Sequence, residues 1–324
     1  LVNRLNISLS WADVDHGMDN YSLRAQPAMG PRHNQANAEN LAWSVDAQLS
    51  LATSELKLGV DGNDQSHNSV VTNPDNHDFK INNFVDSERD SLGVFAELSG
   101  NHDKWNYQVG YRHNRIKLNS EEVGAMMGHM HMHMHESGNS MPMPDMGKPC
   151  DGMQSCANEL SDEFNQSERS INFNTNNLVV KLNRALDKDT ALSIDLGIKQ
   201  RAPSYRETFL WLPMSITGGL ADGRNYIGNL ALKPETSREI NLGLNKNTEN
   251  FSVQPQIFYR QIDNYIQGVP SNNPIANQFS QDMSNMHHGH SDEANALIYS
   301  NTNAEIYGLD TNWNLSINNQ WSAD

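Results

Sequence analysis

The feature that most constrains this chain is an apolar alternation of period two that returns along its whole length. Leu5, Ile7, Leu9 and Trp11 are separated by Asn6, Ser8 and Ser10. Trp43 to Leu51, Leu56 to Val60, Leu92 to Leu98, Trp105 to Tyr111 and Leu178 to Leu182 repeat the pattern. So do Leu192 to Ile198, Ile240 to Leu244 and Tyr307 to Ile317, with a less regular run at Val253, Ile257 and Tyr259. Each run reads as a strand with one apolar and one polar face, giving about ten strands. Short connections near 52–54, 100–103, 184–190, 245–250 and 318–319 alternate with long ones near 13–40, 62–87, 119–167, 201–235 and 266–296. A sheet whose two ends face different compartments has this rhythm, with short turns on one side and long loops on the other. A soluble sandwich also alternates, but five loops of such length in one compact domain are uncommon.

The fold expected is therefore all-β, an up-and-down antiparallel transmembrane barrel segment. The apolar face would meet outer-membrane lipid and the Asn, Asp, Gln and Lys face a wet lumen. Trp11, Trp43, Trp105, Trp211, Tyr265 and Tyr299 stand near strand ends, where interfacial girdles form. No apolar run is long enough for a membrane helix. Ten strands alone would leave two unpaired edges in lipid, so further strands are expected outside this sequence. The opening LVNRLNISLSW has neither Met nor the regions of a signal peptide, and the chain is read as an internal piece of a longer protein.

Charge narrows the partners. The 324 residues carry a formal net charge of −16 without a basic stripe, which argues against nucleic acid. No Ser/His/Asp grouping, phosphate loop or zincin motif is present, so no enzyme and no organic cofactor are expected.

Soft metal donors stand out instead. His129, Met130, His131, Met132, His133, Met134 and His135 alternate within the long connection 119–167, followed by Met141, Met143 and Met146. In extended backbone the imidazoles would share one face and the thioethers the other. Imidazole suits Cu, Zn and Ni, and thioether suits Cu(I). Met283, Met286, His287, His288 and His290 repeat the theme in a second long connection. Composition equally allows an inert low-complexity loop. Cys150 and Cys156 are the only cysteines. An oxidising compartment favours a disulfide between them, and a pair of copper thiolates is the alternative.

Two segments carry a family resemblance. Arg201-Ala-Pro-Ser-Tyr-Arg-Glu-Thr-Phe and Asn229-Leu-Ala-Leu-Lys-Pro-Glu-Thr-Ser-Arg-Glu resemble the barrel of TonB-dependent outer-membrane receptors. The longer stretch from Arg201 to Leu244 resembles the copper-receptor branch, and His16-Gly17-Met18 is similar to the His-x-Met element of that branch. The resemblance implies a segment of a roughly 22-stranded barrel in the bacterial outer membrane, with its long loops extracellular. It implies that His16 and Met18 ligate copper together with a Cys-x-x-x-Met of a plug domain, and that import is driven by the TonB complex through that plug. Neither the plug nor a TonB box occurs in this sequence. Arg201 and Glu207 are candidates for lumen contacts. A receptor for a siderophore or other metal chelate is the alternative on the same scaffold, and a surface adhesin or metal-buffering sandwich a third.

Overall fold

The structure is a computed structural model that describes residues 2–23, 25, 30–128, 148–214, 222–286, 295–318 and 321–323. In chain order the elements are β1 (Val2–Asp19), β2 (His33–Leu51), β3 (Ser54–Asn73), β4 (Asn76–His102), β5 (Trp105–Asn119), β6 (Gly124–Met127) and α1 (Gly152–Gln166). They continue with β7 (Ile171–Ala185), β8 (Thr190–Arg201), α2 (Tyr205–Phe209), β9 (Tyr226–Ile227), β10 (Glu235–Asn247) and β11 (Phe251–Pro270). The last are α3 (Pro274–Met286), β12 (Leu297–Asn318) and β13 (Trp321–Ala323).

All thirteen strands lie in one sheet. Its path is an up-and-down antiparallel meander in chain order, with β6 added beside β4 and β9 beside β12. The sheet is open, with β1 paired only to β2 and β13 only to β12 among the described residues.

Register shows why the alternation exists. One cross-strand row runs Leu49, Leu56, Leu98, Val109, Val180, Leu196, Ile240, Tyr259 and Tyr307. The next row toward the short turns contains Tyr107, Leu182, Ile194, Leu242, Ile257 and Leu309. Nothing among the described residues covers this face: Leu309 is 69% exposed and Ile257 62%. So large an apolar surface is stable against hydrocarbon and unstable against water. The opposite, inner face is ionic. Asp61 accepts two hydrogen bonds from Arg112 at 2.5 and 2.7 Å, and Lys199 meets Glu239 at 2.8 Å.

The apolar rows also show how the strands lean. Their limit toward the long connections is Leu41 on β2, Leu92 on β4, Tyr111 on β5, Ile198 on β8 and Tyr307 on β12. Tyr307 shares its row with Leu49, eight residues along β2 from Leu41, and β12 is eight strands along the sheet from β2. A level slab that descends one residue per strand, at about 3.3 Å rise and 4.8 Å spacing, requires a lean of roughly 35°. Transmembrane barrels lean by about 35–45°.

Above that limit the alternation changes face. On β5, Val109 and Tyr111 point outward, but the next outward residues are His113, Arg115 and Lys117, while inward Ile116 and Leu118 are buried. On β7, Asn172, Asn174 and Asn176 are outward and Phe173 and Thr175 buried inward. The long connections are accordingly shorter than the sequence pattern implies. Residues 62–87 are no loop: β3 and β4 run on as a hairpin that turns at Pro74-Asp75. Segment 119–167 contains β6 and α1, 201–235 contains α2 and β9, and 266–296 contains α3. The inward apolar side chains of the upper strands pack with the three helices into a cap core that includes Val71, Phe79, Ile81, Leu160, Phe209 and Phe279. Trp211 and Tyr299, expected in an interfacial girdle, are instead 4% and 8% exposed, and Trp211 belongs to this cap core.

Candidate functional site

The cap is fastened to the wall by polar side chains placed at its corners. Gln154 of α1 accepts from the Met127 amide at 2.6 Å and donates to the Ala125 carbonyl at 2.9 Å. Asn165 does the same for Val123, both at 2.9 Å, so two amides hold α1 against the β6 segment. Cys150 and Cys156 are joined in a disulfide with a Cα–Cα distance of 5.2 Å, and both are buried in the cap core. Asn273 caps α3 by accepting from the Ile275 and Ala276 amides, and donates to Glu163 of α1 at 3.2 Å.

The two segments that carry the family resemblance meet at one joint. Ser204 and Glu207 form a reciprocal capping box that starts α2. Arg201 donates to both Glu207 oxygens at 2.8 and 3.0 Å, and through Nε to Glu235 at 2.6 Å. Arg201 and Glu207 thus hold each other. Burial alone would raise the Glu207 carboxyl, but the Arg201 guanidinium and the Ser204 amide keep it below the usual carboxylate range. Asn229 donates to the Tyr299 carbonyl at 3.0 Å. Its neighbour Gly228 lies so close to α2 that a Cβ there would sit 2.6 Å from the Thr208 carbonyl oxygen and 2.8 Å from the Leu210 amide nitrogen.

His16 and Met18 lie on β1 opposite Ala36 and Asn34, on the inner face, at the level of the cap. The row of Met18 continues through Asn34 and Val71 to Ile81 of the cap core, and that of His16 through Ala36 to Ser69. Both are exposed, since β1 has no neighbour on its far side among the described residues. Residues two apart on a strand share a face roughly 6.7 Å apart, close enough for an imidazole and a thioether to share one soft ion. No group of three His, Cys, Asp or Glu side chains able to hold a metal occurs among the described residues.

The other sequence-predicted donors divide. His129 to His135, Met141, Met143 and Met146 lie outside the described residues, as do His287, His288 and His290. Met286 ends α3. Met283, on α3, is buried in the cap core with Phe279.

Sequence reasoning missed a second inner-face group. The His67 ring packs against Phe84 and Tyr205 at 5.3 and 5.0 Å and makes no hydrogen bond among the described residues. Arg206 of α2 acts on it electrostatically, and Arg89 is its diagonal neighbour across the β3–β4 ladder. Neither arginine is in an ion pair among the described residues. Burial, and then the charge of Arg206, hold His67 below its ordinary value of 6.5. The linkage sign follows. Stability is complete above 6.5 and falls as pH drops toward the lowered native value, because the unfolded chain takes the proton more readily. Urea unfolding followed through pH 6.5 is expected to show this fall, and a His67→Phe variant to lose it.

Comparison with known proteins adds the following. The family model described as TonB dependent receptor-like, beta-barrel matches residues 2–323. No curated protein sequence matches. Among solved structures, the copper transporter OprC superposes with a TM-score of 0.66 at 15% identity, over 99% of this chain and 42% of OprC. The FrpB iron transporter from Neisseria meningitidis (F3-3 variant) gives 0.55 at 12% identity, over 98% and 39%. The ferric yersiniabactin uptake receptor FyuA from Yersinia pestis gives 0.53 at 12%, over 98% and 38%. The chain thus spans about two fifths of the length of each, and at these identities the likeness is one of fold.

Proposed function

We propose a function from one premise: the chain belongs to the TonB-dependent receptor-like β-barrel family. It is an outer-membrane barrel segment with its capped end extracellular, and the protein containing it is a transporter for a metal or metal-bearing ligand. Within that frame we assign copper as the cargo. The carrying observation is that His16 and Met18 offer an imidazole and a thioether on the inner face beside the cap. That donor pair selects soft ions over iron, which prefers oxygen and nitrogen. The likeness to a copper transporter supports the same reading.

The His129–His135 tract, leaving from β6 and returning to the disulfide at Cys150, is placed in this scheme as the capture segment, with Met286, His287, His288 and His290 as a second one. An ion taken there passes inward to His16 and Met18. Further ligands and the coupling to TonB are assigned to a plug domain of the protein. The test is competitive Cu(I) titration of the full-length protein against a chromophoric chelator. The double variant His16→Ala/Met18→Ala is expected to bind roughly tenfold more weakly, about 1.4 kcal/mol. Unchanged affinity removes the site.

A second reading rests on Arg89 of β4, Arg206 of α2 and His67 of β3, three donors without a carboxylate partner among the described residues. Such a group suits an anionic metal chelate better than a bare cation. Displacement of bound copper by a ferric chelate, but not by the chelator alone, selects this reading over the first.

A further inference from the structure

We propose that the cap holds a binding cleft for a small organic ammonium ion, a cationic amine carried on a compact apolar body. The assignment is independent of the cargo and uses none of the His and Met donors.

The cleft has a volume of about 350 Å³ and lies between α1, the segment that follows α2, and residues 227–231. Its apolar lining includes Leu160 and Phe164 of α1 together with Leu210, Trp211, Ile227 and Leu230. A mostly apolar wall with a few polar groups is the usual make-up of a small-molecule site. One charged side chain reaches it. Glu163 is exposed on α1, and one of its carboxylate oxygens accepts from Asn273 at 3.2 Å while the other has no partner among the described residues. No lysine or arginine is among the described residues that line the cleft. Arg169 stands over the Phe164 ring at 5.9 Å, but its guanidinium donates to the carbonyls of Ser120, Phe164 and Asn165 and does not line the cleft. Glu159 and Asp162 add two exposed carboxylates on the same helix.

This lining selects its ligand by charge and shape together. The Trp211 indole N–H donates to the Asn82 carbonyl at 3.1 Å, and Phe164 meets Phe209 edge-to-face, so both rings are held in place before a ligand arrives. An ammonium ion gains from aromatic faces and from a carboxylate, whereas its apolar body gains from the aliphatic wall. An anion would face Glu163 with no cation to receive it. A bare soft metal ion finds no His, Cys or Met among the described lining residues. A neutral molecule of the same shape keeps the apolar contacts and loses the ionic one.

The test is isothermal titration calorimetry on the full-length protein in detergent at low salt. The probes are phenethylammonium, phenethyl alcohol and phenylacetate. The amine is expected to bind saturably, the alcohol about fivefold more weakly, as for loss of one partly exposed ion pair, and the carboxylate not at all. Glu163→Gln should bring the amine down to the affinity of the alcohol and leave the alcohol unchanged. Ala231→Lys, at an exposed position on the cleft wall, should weaken the amine at least as much. The control Glu159→Gln, on the same helix but outside the cleft, should leave the amine unchanged. All three positions are exposed, so the cap core is untouched by these variants. Equal affinity for amine and alcohol, equal weakening by the control, or no saturable binding of the amine would overturn the assignment.

Discussion

Leu242→Arg is expected to destabilise the membrane-inserted barrel by about 2–4 kcal/mol, whereas Asn241→Arg, one residue away, costs less than about 1 kcal/mol. Leu242 is in the middle of the outward apolar run of β10, between Ile240 and Leu244, and is 44% exposed, so little packing is lost when it is replaced. The penalty arises from placing a guanidinium against hydrocarbon. Asn241 points the other way, opposite Asp195, where a cation gains a partner. The profile with depth separates this from a packed core. Ile198→Arg, at the upper limit of the apolar rows, is expected to cost only about 0–1 kcal/mol, because its charge reaches the interface. Urea titrations of the refolded variants in lipid bilayers give all three values. Equal large losses at Leu242 and Ile198 would describe a dry interior between two sheets and end the barrel reading.

The second large effect belongs to the cap. Phe209→Ala should cost about 3–5 kcal/mol, the range for emptying a buried aromatic site. Phe209 is fully buried and meets Phe164 edge-to-face at 6.3 Å, so it joins α2 to α1 across the core. The loss should be local. Hydrogen exchange is expected to accelerate in α1 and α3 while the central amides of β7, β8 and β10 keep their protection. The joint made by Arg201, Glu207 and Glu235 lies at the wall end of α2 and stays intact in this variant. Uniform acceleration through the strands would mean that the cap and wall unfold as one unit.

Where hydrocarbon touches the wall, sequence and structure agree because solvent acts on one side only. Leu5 to Trp11 or Ile240 to Leu244 alternate cleanly for that reason. Legibility ended where the environment reversed. Above Tyr111 the same β5 has apolar Ile116 and Leu118 inside and charge outside, and the change of face reads in sequence as an end of the strand. Irregularities in register between His67 and Ser69, and between Ile262 and Tyr265, blur the pattern further. The helices left fainter signals. Cys156, Leu160 and Phe164 recur at helical spacing, but within a stretch dominated by Met, His and Pro. Ser204-x-x-Glu207 was a readable helix start. That His16 and Met18 share a face followed from their spacing alone. That this face is the inner one, at cap level, required the register with β2 and β3. Arg89, Arg206 and His67 come from three separate elements, and no local pattern predicts their meeting.

The change of face partway up strands such as β5 and β7 restricts how such a wall can be edited. Deleting one residue below the switch turns charges toward the bilayer, and deleting one above it drives carboxylates or lysines among the buried rings. No sliding of the strand repairs both halves together. Losses or gains of two residues keep both halves in phase, so length variation tolerated within these strands should come in even steps.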